Sequence, residues 1–366
     1  VEALNASKLS PIHIYTIQLV FLLGTSIIFG TPKSVPDTWL IDLISLLPAA
    51  LLCCLYAGLV DASHEQGLYP LLEKAWGRYA GKLLTLCYAL YFLYIASRNI
   101  RDMTELVMTT LLRFTPNGLP VVMFALLVAY AAAGGLPAIG RLSVMIAALV
   151  ILFFLTLAWM LYFSQSIDFE RLLPFLSQGF GKVLQASASQ SIWVPYGELI
   201  VFLVFVPHLG AKREYRRISL ISLVSACAIL TMSDILQTTT LGMENIKFSV
   251  FALLDAARMI DIFHFITRMD ALVALIIIFG VLLKCAIFLY AAVKGASRVF
   301  PTQAKHLHLS FALLAGAFSM MVSHNGAEHV AEGLKYVIYG LHIPLQFLLP
   351  LGTLLLIWIR YPKGER

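Results

Sequence analysis

Apolar residues run in long unbroken blocks along this chain, and polar residues gather in the short gaps between them. A run such as Val144 to Leu161 lacks the two-residue alternation of a barrel strand. Blocks of this kind read as helices in lipid. About 20 mostly apolar residues cross a bilayer, and a helix satisfies its own backbone groups there. Ten blocks meet the demand once a few interruptions are allowed: 11–32, 38–60, 81–100, 119–135, 138–163, 184–208, 218–241, 267–296, 308–323 and 334–360. The expectation is an all-α integral membrane protein, one ten-helix domain over residues 1–366. Three gaps are amphipathic. In 65–79, Leu68, Leu71, Leu72, Ala75 and Trp76 fall on one helical stripe, which predicts a helix lying on the inner interface. Stretches 168–182 and 246–266 read similarly on the outer side, the second as an interfacial helix or a lid. No gap is long enough to bury a core of its own.

Two blocks are interrupted in corresponding places. Span 1 carries Gly24, Thr25 and Ser26 mid-block, with Gly30 and Pro32 at its outer end; span 6 carries Pro195, Tyr196, Gly197 and Glu198. Proline removes a backbone donor, and glycine costs about 1 kcal/mol against alanine inside a helix, so both spans are expected to break. Paired breaks in the first helices of two five-span halves, about 11–163 and 184–360, point to a five-plus-five inverted-repeat transporter fold. Such breaks offer backbone donors and acceptors to a ligand at the membrane midplane. Alternatively they mark packing and kinks, since Gly and Pro are common in membrane helices.

Composition then narrows the chemistry. The chain is 60% hydrophobic and 13% charged, with a mean hydropathy of +0.86. That excludes a fully soluble globule, a disordered chain and a disulfide scaffold. The net charge of +6 comes without a Lys/Arg block interleaved with aromatics, so nucleic acid is not an expected partner; membrane lipid is. With the N-terminus inside, fifteen Lys and Arg fall on the cytoplasmic side and ten on the outer side. Lys212, Arg213, Arg216 and Arg217 form the tightest inner cluster. Both termini are therefore expected to be cytoplasmic, and from the polar first residues no signal peptide is expected.

Against so little charge, two ionisable residues stand out. A carboxylate at the centre of a membrane helix costs about 2.5–3.5 kcal/mol, so Glu198 should face a cavity or a partner. It would contact a ligand ammonium or cation, carry a proton, or hydrogen-bond the broken backbone of span 1. Lys284 lies ten residues before Lys294, about 15 Å along the helix from the inner interface and too deep to snorkel. Its ammonium could stand where a transporter would hold a sodium ion, tying span 8 to carbonyls of span 1, or be a plain structural cation. In span 3, Arg98, Arg101, Asp102 and Glu105 are spaced for i, i+4 pairs, Arg98 with Asp102 and Arg101 with Glu105. They would line an outer vestibule, touch a partner or cap the helix. His324 and His329 are placed at an outer loop. All five cysteines fall within spans, so neither a disulfide nor a metal site is expected. No cofactor is expected either. Lacking a GxSxG, a P-loop or a dinucleotide fingerprint, the chain reads as no enzyme, with no catalytic residues.

The order of motifs along the chain resembles the B-subunit of bacterial spore germinant receptors. These are the endospore germination permeases of the amino acid/polyamine/organocation transporter superfamily. The resemblance rests on I-I-F-G-T-P closing span 1, L-Y-P-L-L-E-K-A-W-G-R-Y after span 2, and R-x-x-x-E at Arg101–Glu105. G-G-L at 134–136 with Arg141, L-L-P-F-L-S-Q-G before span 6 and Y-G-E-L-I-V-F-L-V-F-V-P at 196–207 continue it. So do I-T-R-M-D-A-L leading into span 8 and its lysine at 284. It implies a LeuT-like fold and a membrane subunit that binds a small germinant, typically an amino acid. That subunit would work with a larger A-subunit and a C-subunit lipoprotein in the spore inner membrane. Carried over, the ligand would meet the backbone at Gly24, Thr25 and Ser26 and at Tyr196, Gly197 and Glu198, with Tyr94 as a wall. A proton-coupled amino-acid permease using Glu198 or Lys284, and an ion-conducting subunit of a receptor complex, are the competing functions.

Overall fold

In the computed structural model the described residues are 8–29, 35–63, 66–112, 114–210, 214–260, 269–300, 302–323 and 325–361. Among them no strand forms; one parallel bridge joins Leu9 to Leu209. Gly30, Pro32, Lys212, Arg213, His324 and the 261–266 part of the outer stretch lie outside the described residues.

Span 1 is two helices, α1 (Pro11–Leu23) and α2 (Ser26–Phe29). Ser10 caps α1 by accepting from the His13 N–H, and Pro11 opens it where a missing N–H does no harm. Next come α3 (Thr38–Ala62), α4 (Leu68–Trp76), α5 (Arg78–Thr110), α6 (Gly118–Ala133) and α7 (Gly135–Phe163). Span 6 starts as α8 (Phe180–Ala186), widens to a π turn at Ser187–Ser191, breaks, and resumes as a 3-10 helix over Tyr196–His208. The chain continues through α9 (Tyr215–Leu241), α10 (Met243–Ile246), α11 (Ala252–Arg258), α12 (Asp270–Val299) and α13 (Leu307–Met321). It closes with α14 (Gly326–Glu332), a π-helical stretch over Gly333–Leu348, and α15 (Leu349–Arg360).

Seven of these spans are long and apolar enough to cross a membrane, and α1, α6 and α13 are shorter apolar helices. The long helix α12 is the centre of the bundle: it packs against α5, α6, α7 and α1, and its residues Cys285 to Ala292, apart from Tyr290, are fully buried. The opposite situation holds on the outer faces of α6 and α7, where Met123, Leu126, Leu127, Leu152, Leu155 and Trp159 stay exposed. Large apolar side chains on one continuous outer surface suit lipid and would be an aggregation hazard in water.

Two of the interfacial expectations change in detail. Helix α4 forms, but its apolar face packs onto the protein, against α5 and α15. The Tyr69 hydroxyl donates to the Ala291 carbonyl (2.7 Å), Arg298 pairs with Glu73 at 2.9 Å, and Trp76 donates to Thr353 at 3.0 Å. Stretch 168–182 is not one helix: a single 3-10 turn at Phe169–Leu172 precedes the start of α8 at Phe180.

Candidate functional site

The two breaks meet. Helix α1 ends where the Gly24 N–H bonds back to the Val20 carbonyl, and Gly24 and Thr25 sit outside any helix before α2 begins. Opposite, α12 brings Lys284 to the gap. A Cβ on Gly24 would lie 2.8 Å from Lys284 Cδ, so only glycine lets the lysine stem pass. The Lys284 Nζ donates to Thr25 Oγ1 at 3.0 Å and lies 2.6 Å from Glu198 Oε2. It also stands 5.3 Å above the Phe21 ring. Lys284 and Glu198 are 0% and 3% exposed. In a medium this apolar each charge is tolerated because the other is beside it. One ammonium thus ties span 8 to the break of span 1 and to the break of span 6.

A second polar knot holds span 6 to the π-helical stretch of span 10. The Tyr56 hydroxyl is within 2.8 Å of the Gly197 carbonyl and 2.9 Å of the Gln346 carbonyl, sharing its proton between them. Gln346 Nε2 donates to the Tyr91 hydroxyl at 2.8 Å, which is 2.7 Å from His342 Nδ1. Here again glycine leaves room for a neighbour: a Cβ on Gly197 would run into the Gln346 side-chain oxygen and displace it.

A cavity of about 650 Å³ opens from these breaks. Thr25 and Ser26 of the first break and Gln190, Ser191, Pro195 and Glu198 of the second line it. Asp42 from α3, Asn99 from α5 and Asp234 from α9 add polar walls. At its far end a cluster joins α5 to α14. Arg98 donates to the His329 carbonyl at 2.5 Å and stands 3.8 Å from Glu332, while Asp102 meets His329 Nε2 at 2.7 Å. Arg101 and Glu105 pair at 3.6 Å, as their spacing suggests. The Arg98–Asp102 pair does not form, because α14 supplies each with a better-placed partner. His329 accordingly sits on a helix facing α5 and not in an open loop.

Of the residues expected at the ligand, Thr25, Ser26 and Glu198 line the cavity and Gly24, Tyr94, Tyr196 and Gly197 do not; of those expected at a vestibule or partner contact, Arg98 and Glu105 line it and Arg101 does not, and Lys284, expected as a coupling or ion-mimic group, stands outside the lining. The hydroxyl of Tyr94 receives a hydrogen bond from Arg98 at 3.3 Å. Among the described residues Lys284 reaches a side-chain hydroxyl of span 1 and not its carbonyls. Sequence reasoning passed over Asp42 and Asp234, 2% and 4% exposed. The test that singled out Glu198, a charge inside an apolar block, applies to both. Tyr56, His342 and Gln346 left no such signal. All five cysteines are free thiols.

Known proteins share both this sequence pattern and this arrangement of helices. A family described as spore germination protein matches residues 8–328. The chain is 26% identical over 355 residues to spore germination protein KB of Bacillus subtilis (strain 168), covering 95% of this chain and 94% of that protein. It is 21% identical over 361 residues to spore germination protein A2 of the same organism, covering 94% and 95%. Among solved structures, a Na+-coupled sialic acid symporter in a substrate-bound outward-open state superposes with a TM-score of 0.61 at 13% identity. That match covers 93% of this chain and 77% of the symporter. Mhp1, a nucleobase-cation-symport-1 family transporter in a closed conformation, superposes with a TM-score of 0.53 at 14% identity, covering 94% and 80%. At those identities the shared property is the fold, which is that of transporters.

Proposed function

The chain belongs to the spore germination protein family, and from that premise we propose that it is the ligand-binding membrane subunit of a spore germinant receptor. Its ten apolar segments form a five-plus-five inverted repeat with both termini cytoplasmic, in the spore inner membrane. A small nutrient, an amino acid by preference, binds in the chamber between the two breaks. Binding there is passed to an A-subunit and a C-subunit lipoprotein.

The observation that carries this reading is the convergence of both breaks on one chamber of about 650 Å³. A chamber of that size holds an amino acid with water to spare. Thr25, Ser26, Gln190 and Ser191 bring hydroxyl and amide groups to it, and Glu198 brings a carboxylate. Lys284 supplies a built-in cation between the breaks, so their relative position is set before any ligand arrives. A ligand moves such a scaffold only by binding one arrangement better than another. The α5–α14 cluster at the far end of the chamber is an element that a ligand touching Arg98 or His329 would bias.

The test is reconstitution of the purified chain into liposomes with a panel of labelled amino acids at two pH values. Saturable binding without accumulation is the expected result. Accumulation inside the vesicles sinks the sensor reading. It would favour the proton-coupled permease, a reading supported by the likeness to solved symporters. No binding to any member of the panel removes the amino-acid ligand.

A further inference from the structure

Where α3 ends and α9 begins, a second cavity of about 450 Å³ opens between the two helices. Ala57 and Asp61 of α3 and Arg216, Arg217, Leu220 and Ile221 of α9 line it. Both helices are long and apolar enough to cross a membrane, which puts their ends at headgroup depth. Away from the cavity each helix presents an apolar stripe. On α3 the exposed residues Leu47, Leu51 and Cys54 lead at helical spacing to Asp61. On α9 the exposed Ile221 and Val224 follow Arg217 in the same way. Each stripe is apolar in mid-span and charged where it reaches the cavity.

The positive charge at this cavity is poorly answered by the protein. Elsewhere at the same end, on α4 directly after α3, two other arginines are taken up. Arg298 pairs with Glu73 at 2.9 Å, and Arg360 donates to the Ala75 carbonyl at 2.8 Å. Arg217 takes part in no ion pair or hydrogen bond among the described residues. Arg216 stands 3.7 Å from Asp61 with the two side chains 58% and 68% exposed, and a pair so long and so open contributes little. A guanidinium presents five donors in a planar fork that fits phosphate oxygens two at a time. Two such groups against one carboxylate leave a positive excess among the lining residues. A free inorganic anion would use those arginines alone. A phospholipid uses the whole surface, its phosphate at the arginines and its acyl chains on the two stripes.

We propose that this cavity binds an anionic phospholipid, with the headgroup phosphate held by Arg217 and Arg216. The site shares no lining residue with the chamber and does not depend on what the chamber binds. A lipid held there bridges α3 and α9. Both helices also wall the chamber, through Asp42 of α3 and Leu230 and Ser233 of α9, so occupancy bears on the spacing of two chamber walls.

The test is native mass spectrometry of the purified, delipidated chain in detergent. Phosphatidylglycerol and phosphatidylcholine with the same acyl chains are titrated separately. The expected result is saturable retention of phosphatidylglycerol, tighter than that of phosphatidylcholine by about fivefold or more. Arg217→Gln should weaken that retention by about fivefold, and adding Arg216→Gln should abolish the preference. Asp61→Asn should tighten it, because the competing carboxylate is gone; a residue with only a structural role would not strengthen binding when replaced. Lys182→Gln, at an exposed charge on α8, should leave retention unchanged. Asp61, Arg216 and Arg217 are all exposed, so these changes leave the core intact. Equal retention of the two lipids overturns the site, as does an undiminished preference in the double arginine variant. Binding of inorganic phosphate that the double variant loses, without any preference between the lipids, would assign the arginines to free phosphate and overturns the phospholipid.

Discussion

Lys284 is fully buried at the middle of a 30-residue apolar helix, and it survives there because its ammonium is met on two sides. Removing only one member of such a pair leaves the other charge buried and unanswered, at a cost of about 3–5 kcal/mol. Lys284→Met should therefore lower the Tm sharply, whereas the double variant Lys284→Met/Glu198→Gln should recover most of the loss; thermal unfolding in detergent reads both. Simple additivity of the two single effects would show that the pair is not what holds the breaks together. Glu198→Gln alone should impair ligand response more than a change at an exposed charge such as Lys182→Gln, and native behaviour would refute its assignment to the site. Both residues were legible in the sequence because a charge inside an apolar block is conspicuous. Asp42 and Asp234 were less so. Each lies near the end of its block, where depth along the helix suggests the interface. Only the packing of α3 against α9 shows that they face inward.

At the scale of elements, the sequence marks where span 6 breaks but not the helical geometry on either side. Pro195 and Gly197 account for the interruption. The 3-10 helix over Tyr196–His208 takes a hydrogen bond at its Gly197 carbonyl from Tyr56, far away in the chain, and the π turn before it meets Ser45, whose hydroxyl lies 2.8 Å from that of Ser187. A 3-10 run of 13 residues is long for that geometry, and tertiary bonds must hold it. Tyr56→Phe leaves buried carbonyls without their donor and should cost about 1–3 kcal/mol, measured as a fall in Tm. Gly197→Val should do more, since its side chain would displace Gln346 and open the Tyr91–His342 contact. The amphipathic pattern of α4 was readable, yet periodicity cannot say whether an apolar face meets lipid or protein. Here Tyr69, Glu73 and Trp76 bind it to α12 and α15. Helix α14 behaves as a separate small element held to α5 by Asp102 and Arg98. Asp102→Ala should raise hydrogen exchange across Gly326–Glu332 with little change in global Tm; unchanged exchange there would show that the cluster is not what holds α14.

For the whole molecule, the apolar blocks alone gave the membrane class and most helix boundaries to within a few residues, because lipid leaves the backbone few options. The chamber was not legible in the same way. It is made by several helices whose rotations about their own axes are set by packing. A small molecule bound between the two breaks would occupy that chamber. The most direct measurement fills that space: Ser26→Trp and Val194→Trp, both lining the chamber, are compared with an outward control, Leu152→Trp, which is 62% exposed in the native chain. Binding of the labelled amino acid that the native chain binds best should be lost in the first two at native-like Tm and retained in the control. Undiminished binding in both filled variants would place the ligand elsewhere and contradict the account.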